Sequence, residues 1–153
     1  MKITDIYKYW QKVENKTMGR WFFSRLIAAI IPYTGALKAK VLDWKIGYAK
    51  VELKDRQGIR NHLNSIHAVA LTNLGEFVSG LALISQFSDN IRGIPVNINI
   101  DFSKKARGTL TAECTTKLPD FKGEKEHIVK AEIKDESNDI VATVTVKWQL
   151  EAL

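Results

Sequence analysis

The sequence predicts an α+β fold in which a curved antiparallel sheet wraps one long helix. Three observations carry that expectation. The run from Ile66 to Ser85 is apolar on nearly every side and holds one ionised side chain, Glu76, so a helix there has to be enclosed. Four stretches of alternating apolar and polar residues follow it, and one or two precede it. The connections between the later stretches are short, as between antiparallel neighbours.

In chain order, Thr4–Asn15 sets Ile6, Tyr7, Trp10, Val13 and Glu14 at helical spacing, with Thr4 as the expected N-cap. A second helix is expected from Met18 to Ile31, stopped by Pro32, with "PYTG" as the exit. "AKVLDWKIGYAKVELKD" reads as two strands or one bent strand, with Gly47 at the bend. "RQGIRNHLN" is a polar loop, and Asn64 or Ser65 is the expected cap of the long helix. After a loop at "SDNIRG", "IPVNINIDF" points Val96, Ile98, Ile100 and Phe102 one way and Asn97, Asn99 and Asp101 the other. "GTLTAECTTKL", "EHIVKAEIKDE" and "DIVATVTVKWQL" alternate likewise, and the turns "SKKARG", "PDFKG" and "SND" suggest a four-strand meander. A helix wrapped in this way is the hotdog fold, here with two additional N-terminal helices. One domain is expected over residues 1–153, with 1–36 as a helical extension and 37–153 as the core.

At 45% hydrophobic and 26% charged residues the composition is that of an ordinary soluble globular protein. The net charge of +6 is spread along the chain, which favours anions in general and forms no basic stripe, so no nucleic-acid partner is expected. Cys114 is the only cysteine, which excludes an intrachain disulfide and suggests a reducing compartment, with the cytoplasm as the expected location. Its alternating surroundings point to a buried, inert thiol. The first residues lack the apolar stretch of a signal peptide. "WFFSRLIAAII" is too short to span a bilayer and is interrupted by Arg25, and the apolar residues of "GRWFFSR" can serve as core, so no membrane contact is expected. No histidine pair has zinc-ligand spacing with a third ligand, and no metal is expected.

Asn61, His67, Ala68 and Glu76 form the pattern N-x5-H-A-x7-E, and "VNINIDFSKKARGTLTAE" follows it. Together these resemble the hotdog acyl-CoA thioesterases of the phenylacetate and 4-hydroxybenzoyl type. That family carries Asn or Gln, then His-Gly, then Asp or Glu at these spacings, followed by a phenylalanine, a basic or proline-containing turn and G-x-L-x-A. The likeness covers Leu37 to Leu150, and the two N-terminal helices are similar to an extension found on an uncharacterised thioesterase-like branch. Ala68 departs from the family's glycine; it keeps the backbone N–H and adds a methyl that narrows the approach. The resemblance implies a thioester of CoA or of an acyl carrier protein as substrate, no cofactor beyond the CoA moiety, and an active site at the interface of a homodimer, alone or within a tetramer.

Thioester hydrolysis needs a carboxylate to attack or to deprotonate water, and donors for the oxygen that becomes negative. Glu76 is the candidate carboxylate. The Ala68 amide at the helix N-terminus and the Asn61 side chain are the candidate donors. Eight helical residues separate Ala68 from Glu76, about 12 Å along the axis. Reacting atoms have to come within about 3.5 Å, so one copy of the helix does not supply both groups, whereas two antiparallel copies do.

Each candidate also has a structural reading. Glu76 can be a carboxylate held by a buried partner, Asn61 a turn residue, and His67 an organiser of loop and cap. His62, fourteen residues before Glu76, has the spacing of hotdog β-hydroxyacyl dehydratases but lacks their proline-rich intervening stretch. Arg60, His62, Lys104, Lys105 and Arg107 are candidates to meet the substrate, the basic ones through its phosphates. Asn97 and Asn99 are candidates to hold the attacking water. Trp10, Trp21, Phe22 and Phe23 of the N-terminal helices either roof the acyl slot or cover the sheet's outer face. A protein that binds acyl-CoA or another apolar ligand without turnover is the competing class.

Overall fold

The enclosed helix is α4, Ala68–Ile84, in a computed structural model that describes the backbone of residues 3–153 and the side chains from residue 5 onward. Thr4 already lies within the first helix, and its side chain, expected as the cap, lies outside the described residues. Leu71, Leu74, Phe77, Val78, Leu81, Ala82 and Leu83 are all buried, so α4 is covered around most of its circumference. At Gly75 a Cβ would come within 2.2 Å of the Val144 side chain; only the missing side chain lets the helix backbone settle onto the sheet there.

The sheet has six strands: β1 (Lys40–Lys45), β2 (Tyr48–Leu53), β3 (Ile91–Phe102), β4 (Leu110–Thr115), β5 (Glu124–Lys134) and β6 (Ile140–Ala152). Their spatial order is β1-β2-β4-β5-β6-β3 and every pairing is antiparallel. The segment before the long helix is thus two strands, joined at Gly47 with φ at +75°, a conformation glycine adopts freely. This six-stranded antiparallel sheet around a long helix is the hotdog fold.

Two expectations are corrected. Residues Ile91 to Gly93, assigned to a loop, already pair with β6, because their amides meet the end of that long strand. The four-strand meander is also wrong at its first step: β3 lies beside β6, and β4 lies beside β2. The connection after β3 does not turn back. It crosses the N-terminal end of α4, where Ile66 N–H donates to the Ala106 carbonyl at 2.8 Å and the Arg107 guanidinium donates to the Asn64 and Leu63 carbonyls at 3.2 and 3.4 Å. These bonds make "SKKARG" a bridge rather than a hairpin turn.

The N-terminal helices are α1 (Ile3–Val13), α2 (Thr17–Ile30) and a single turn, α3 (Pro32–Gly35). Pro32 opens this third helix, since a residue without an N–H suits the first helical position. The helices pack on the side of the sheet that carries α4. Trp10 and Phe23 are buried with ring centroids 4.9 Å apart, Phe23 meets Trp44 at 5.7 Å, and the Trp44 indole donates to the Leu81 carbonyl of α4 at 2.7 Å. Val41 N–H of β1 donates to Ser24 Oγ at 3.1 Å, so α2 covers the β1 edge of the sheet. The outer face is not their seat, contrary to one of the two expected roles, and Trp21 and Phe22 are each 52% exposed rather than core.

Among the described residues, the opposite edge has no such cover. β3 pairs only with β6. Its register sets Ile98, Ile100 and Phe102 opposite Val146, Val144 and Ala142, which are buried against α4, so this apolar row faces the helix side. A bulge at Val96 shifts the register just before it. Val96 and Phe102 remain about half exposed, at 50% and 51%.

Among the described residues, no helix is long and apolar enough to cross a membrane.

Candidate active site around helix α4

The residues of α4 that escape full burial are Ala68, Val69, Thr72, Asn73, Glu76 and the C-terminal Ile84. The first five recur at one-turn spacing, so they form a stripe from the helix N-terminus to its middle. Asn73 on one flank accepts a hydrogen bond from Thr34 Oγ1 of α3 at 3.0 Å. On the other flank Thr72 Oγ1 donates back to the Ala68 carbonyl at 3.0 Å. Thr72 was not among the candidates; its place four residues before Glu76 was the available signal.

At the N-terminus the cap is His67, not Asn64 or Ser65. His67 has φ −65° and ψ 141°, and its Nδ1 accepts from Val69 N–H at 3.1 Å. Asn64 instead occupies the left-handed region, with φ at +55°, and Ser65 is turned toward Asn61. Both polar residues are used in closing the loop. The Ala68 N–H, one position inside the cap, has no hydrogen-bond partner among the described residues and lies in the exposed first turn.

Asn61 performs the turn role. Its Oδ1 accepts from Leu63 N–H, Ser65 N–H and Ser65 Oγ at 2.9, 3.2 and 3.1 Å. That arrangement uses the oxygen and leaves the amide NH2 as an uncommitted donor. Asn61 and Ala68 line one cleft of about 340 Å³, together with Leu71, Phe102, Lys104 and Lys105. A second cleft of about 410 Å³ lies on the other side of the helix start, between Tyr33, Leu37, Ile59, Arg60, His67 and Val69. Neither is lined by Glu76 or His62. His62 is exposed in the loop, so within one copy the dehydratase pair is not brought together.

Most of the basic candidates are already occupied. Arg60 is paired with Asp55 at 2.8 and 3.2 Å, and Asp55, which also accepts from Gly108 N–H, is held below the usual carboxylate range chiefly by the Arg60 hydrogen bond. Lys104 bridges Asp135 and Asp139 at 2.6 and 2.8 Å. Arg107 staples the loop as described. Lys105 alone of the four has no partner among the described residues. Asn97 and Asn99 stand opposite Lys147 and Thr145, on the face turned away from α4, and Asn99 donates to Asp101 at 3.2 Å. Their expected contact with the attacking water is corrected accordingly.

Glu76 sits half-buried without an ion pair or side-chain hydrogen bond among the described residues. Burial alone pushes its carboxyl above the usual carboxylate range. Cys114 is 2% exposed, and burial pushes its thiol up to about 12, so it is inert at neutral pH. His127 Nε2 lies 3.0 Å from Thr116 Oγ1, and burial lowers its pKa.

The chain belongs to the family described as a domain of unknown function, DUF4442, which matches residues 19–150 and so takes in most of α2 as well as the core. It is similar to the structural-genomics protein APC5556, at 21% identity and a TM-score of 0.84 over 99% of each chain. It is similar to PA5026 of Pseudomonas aeruginosa, described as a probable thioesterase, at 19% identity and a TM-score of 0.73 over 90% of this chain and 96% of that one. HI1161 of Haemophilus influenzae, a thioesterase by name, is similar at 15% identity and a TM-score of 0.68 over 79% of this chain and 83% of that one. At these identities the likeness carries the hotdog fold. No curated protein matches the chain.

Proposed function

We propose that this protein hydrolyses acyl thioesters of CoA or an acyl carrier, at sites formed between two copies paired along β3. Glu76 of one copy acts as base or nucleophile. The Ala68 N–H and the Asn61 amide of the other copy polarise the thioester carbonyl. As base, Glu76 takes a proton from water, the hydroxide adds to the carbonyl carbon, and the negative oxygen is held at the helix N-terminus. The C–S bond then breaks and the leaving sulfur recovers the proton. Lys105, without a partner among the described residues, is available to meet a substrate phosphate. No cofactor enters the scheme beyond the CoA moiety, and the buried lone Cys114 is consistent with a reducing, cytoplasmic setting.

The observation that carries this reading is the Glu76 carboxylate itself. It lies on the open stripe of a buried helix, with no ion pair among the described residues to justify its burial. A structural carboxylate would be expected to hold one. The test is hydrolysis of a panel of acyl-CoA thioesters of varied chain length, with Glu76→Gln as control. Turnover reduced at least about a hundredfold in the variant is expected, the usual scale for a general base or greater. A panel that yields binding without turnover would assign the protein to the ligand-binding class instead.

A further inference from the structure

Two groups near the middle of α4, one buried and one half-buried, each lack what the other offers. Trp148 of β6 is 3% exposed, and its indole Nε1–H has no acceptor. The Glu76 carboxylate has no donor among the described residues. Both approach the same place. A Cβ built on Gly80, one turn beyond Glu76, would stand 3.5 and 3.6 Å from Trp148 Cη2 and Cζ2, and 4.0 Å from Glu76 Oε1. Cζ2 is next but one to Nε1 around the indole, and the two carry their hydrogens on the same edge of the ring. The edge turned to Gly80 is therefore the edge that bears the orphaned donor.

We propose that Trp148 is a positioning residue for Glu76: its indole N–H, reaching across the gap left by Gly80, holds the ionised carboxylate in its working orientation. A buried N–H without a partner is costly, and a hydrogen bond to a charged acceptor is among the stronger ones a protein makes. Among the described residues, neither of the obvious competitors for the pair is available. His127, opposite Trp148 on β5, is engaged with Thr116, and no charged side chain among the described residues perturbs Glu76. The indole also excludes water from one side of the carboxylate, which keeps it basic while the N–H fixes where it points. The catalytic part of this inference rests on the thioesterase reading; the hydrogen bond does not.

Two variants test it in the full-length protein. Trp148→Phe keeps an aromatic ring and removes the N–H. Gly80→Ala keeps Trp148 and inserts a methyl at ordinary contact distance from both groups. Glu76 is titrated directly by carbon-13 NMR of its carboxyl, in wild type and in each variant that retains the native melting profile. Loss of the hydrogen bond raises the Glu76 midpoint by about one pH unit in both, and kcat for any hydrolysed acyl-CoA falls about tenfold with KM little changed. A merely structural Trp148 would move stability and leave the midpoint where it was. Midpoints unchanged in both folded variants overturn the inference, even if Glu76→Gln abolishes hydrolysis. Raised midpoints in a protein that hydrolyses nothing would uphold the hydrogen bond and reject the thioesterase reading.

Discussion

A carboxylate at position 76 is disfavoured in its charged form because the helix and β6 exclude much of its water and no charged side chain among the described residues offsets the loss. Its folded-state pKa therefore stands above the unfolded value. The native state binds the proton more tightly, so this group's contribution to stability is full below the unfolded carboxyl pKa and is lost as pH rises through the folded one. Glu76→Gln should raise the melting temperature at neutral pH by about 2–4 °C, and calorimetry at a pH below the ordinary carboxyl range should show that advantage gone. A variant less stable than wild type at neutral pH would mean that burial does not dominate the titration of this carboxyl. The lone acidic residue was legible because its neighbours carry no charge. The cap was not. Asn64 and Ser65 have good capping side chains, but the loop consumed them, and a histidine ring nitrogen does the work in their place. The basic candidates were equally legible as residue types, whereas their commitments to Asp55, Asp135 and Asp139 depend on chain crossings that residue type does not reveal.

Among the elements, β1 and β3 hold the two edges of one sheet and are treated differently. Ser24 occupies a β1 amide and α2 lies over that edge, while β3 keeps twelve residues with one neighbour and an apolar row beside α4. A long, uncovered apolar edge is a pairing surface. Ile98→Lys places a charge on that row, a device that natural edges use to refuse partners. The variant is expected to elute as a monomer by size exclusion with light scattering, and to lose thioesterase activity with Glu76 intact. A dimer that survives the change would place the interface elsewhere. The strands themselves followed from alternation, and the enclosed helix from its lack of a polar face. Their order did not follow. A short polar connection reads the same whether it closes a hairpin or crosses a helix end, and the choice was made by the bonds from Ile66 and Arg107.

For the whole molecule, the fold separates the two halves of its chemistry. Ala68 and Glu76 lie on one continuous helix, about 12 Å apart, and the clefts at the helix start do not reach the carboxylate. In the proposed dimer, a two-fold axis beside the helix stripe would unite them and create two equivalent sites. Complementation between inactive variants tests this most directly. Glu76→Gln removes the carboxylate. Ala68→Pro removes one backbone N–H at the first helical position, where proline is well tolerated and where the preceding His67 already has the extended backbone that proline requires. Each variant alone should be inactive while retaining its fold. Co-expressed in equal amounts, half the dimers are mixed and each mixed dimer owns one intact site, so activity should return to about a quarter of wild type. Mixed dimers that form and remain as inactive as their parents would contradict a site shared between copies.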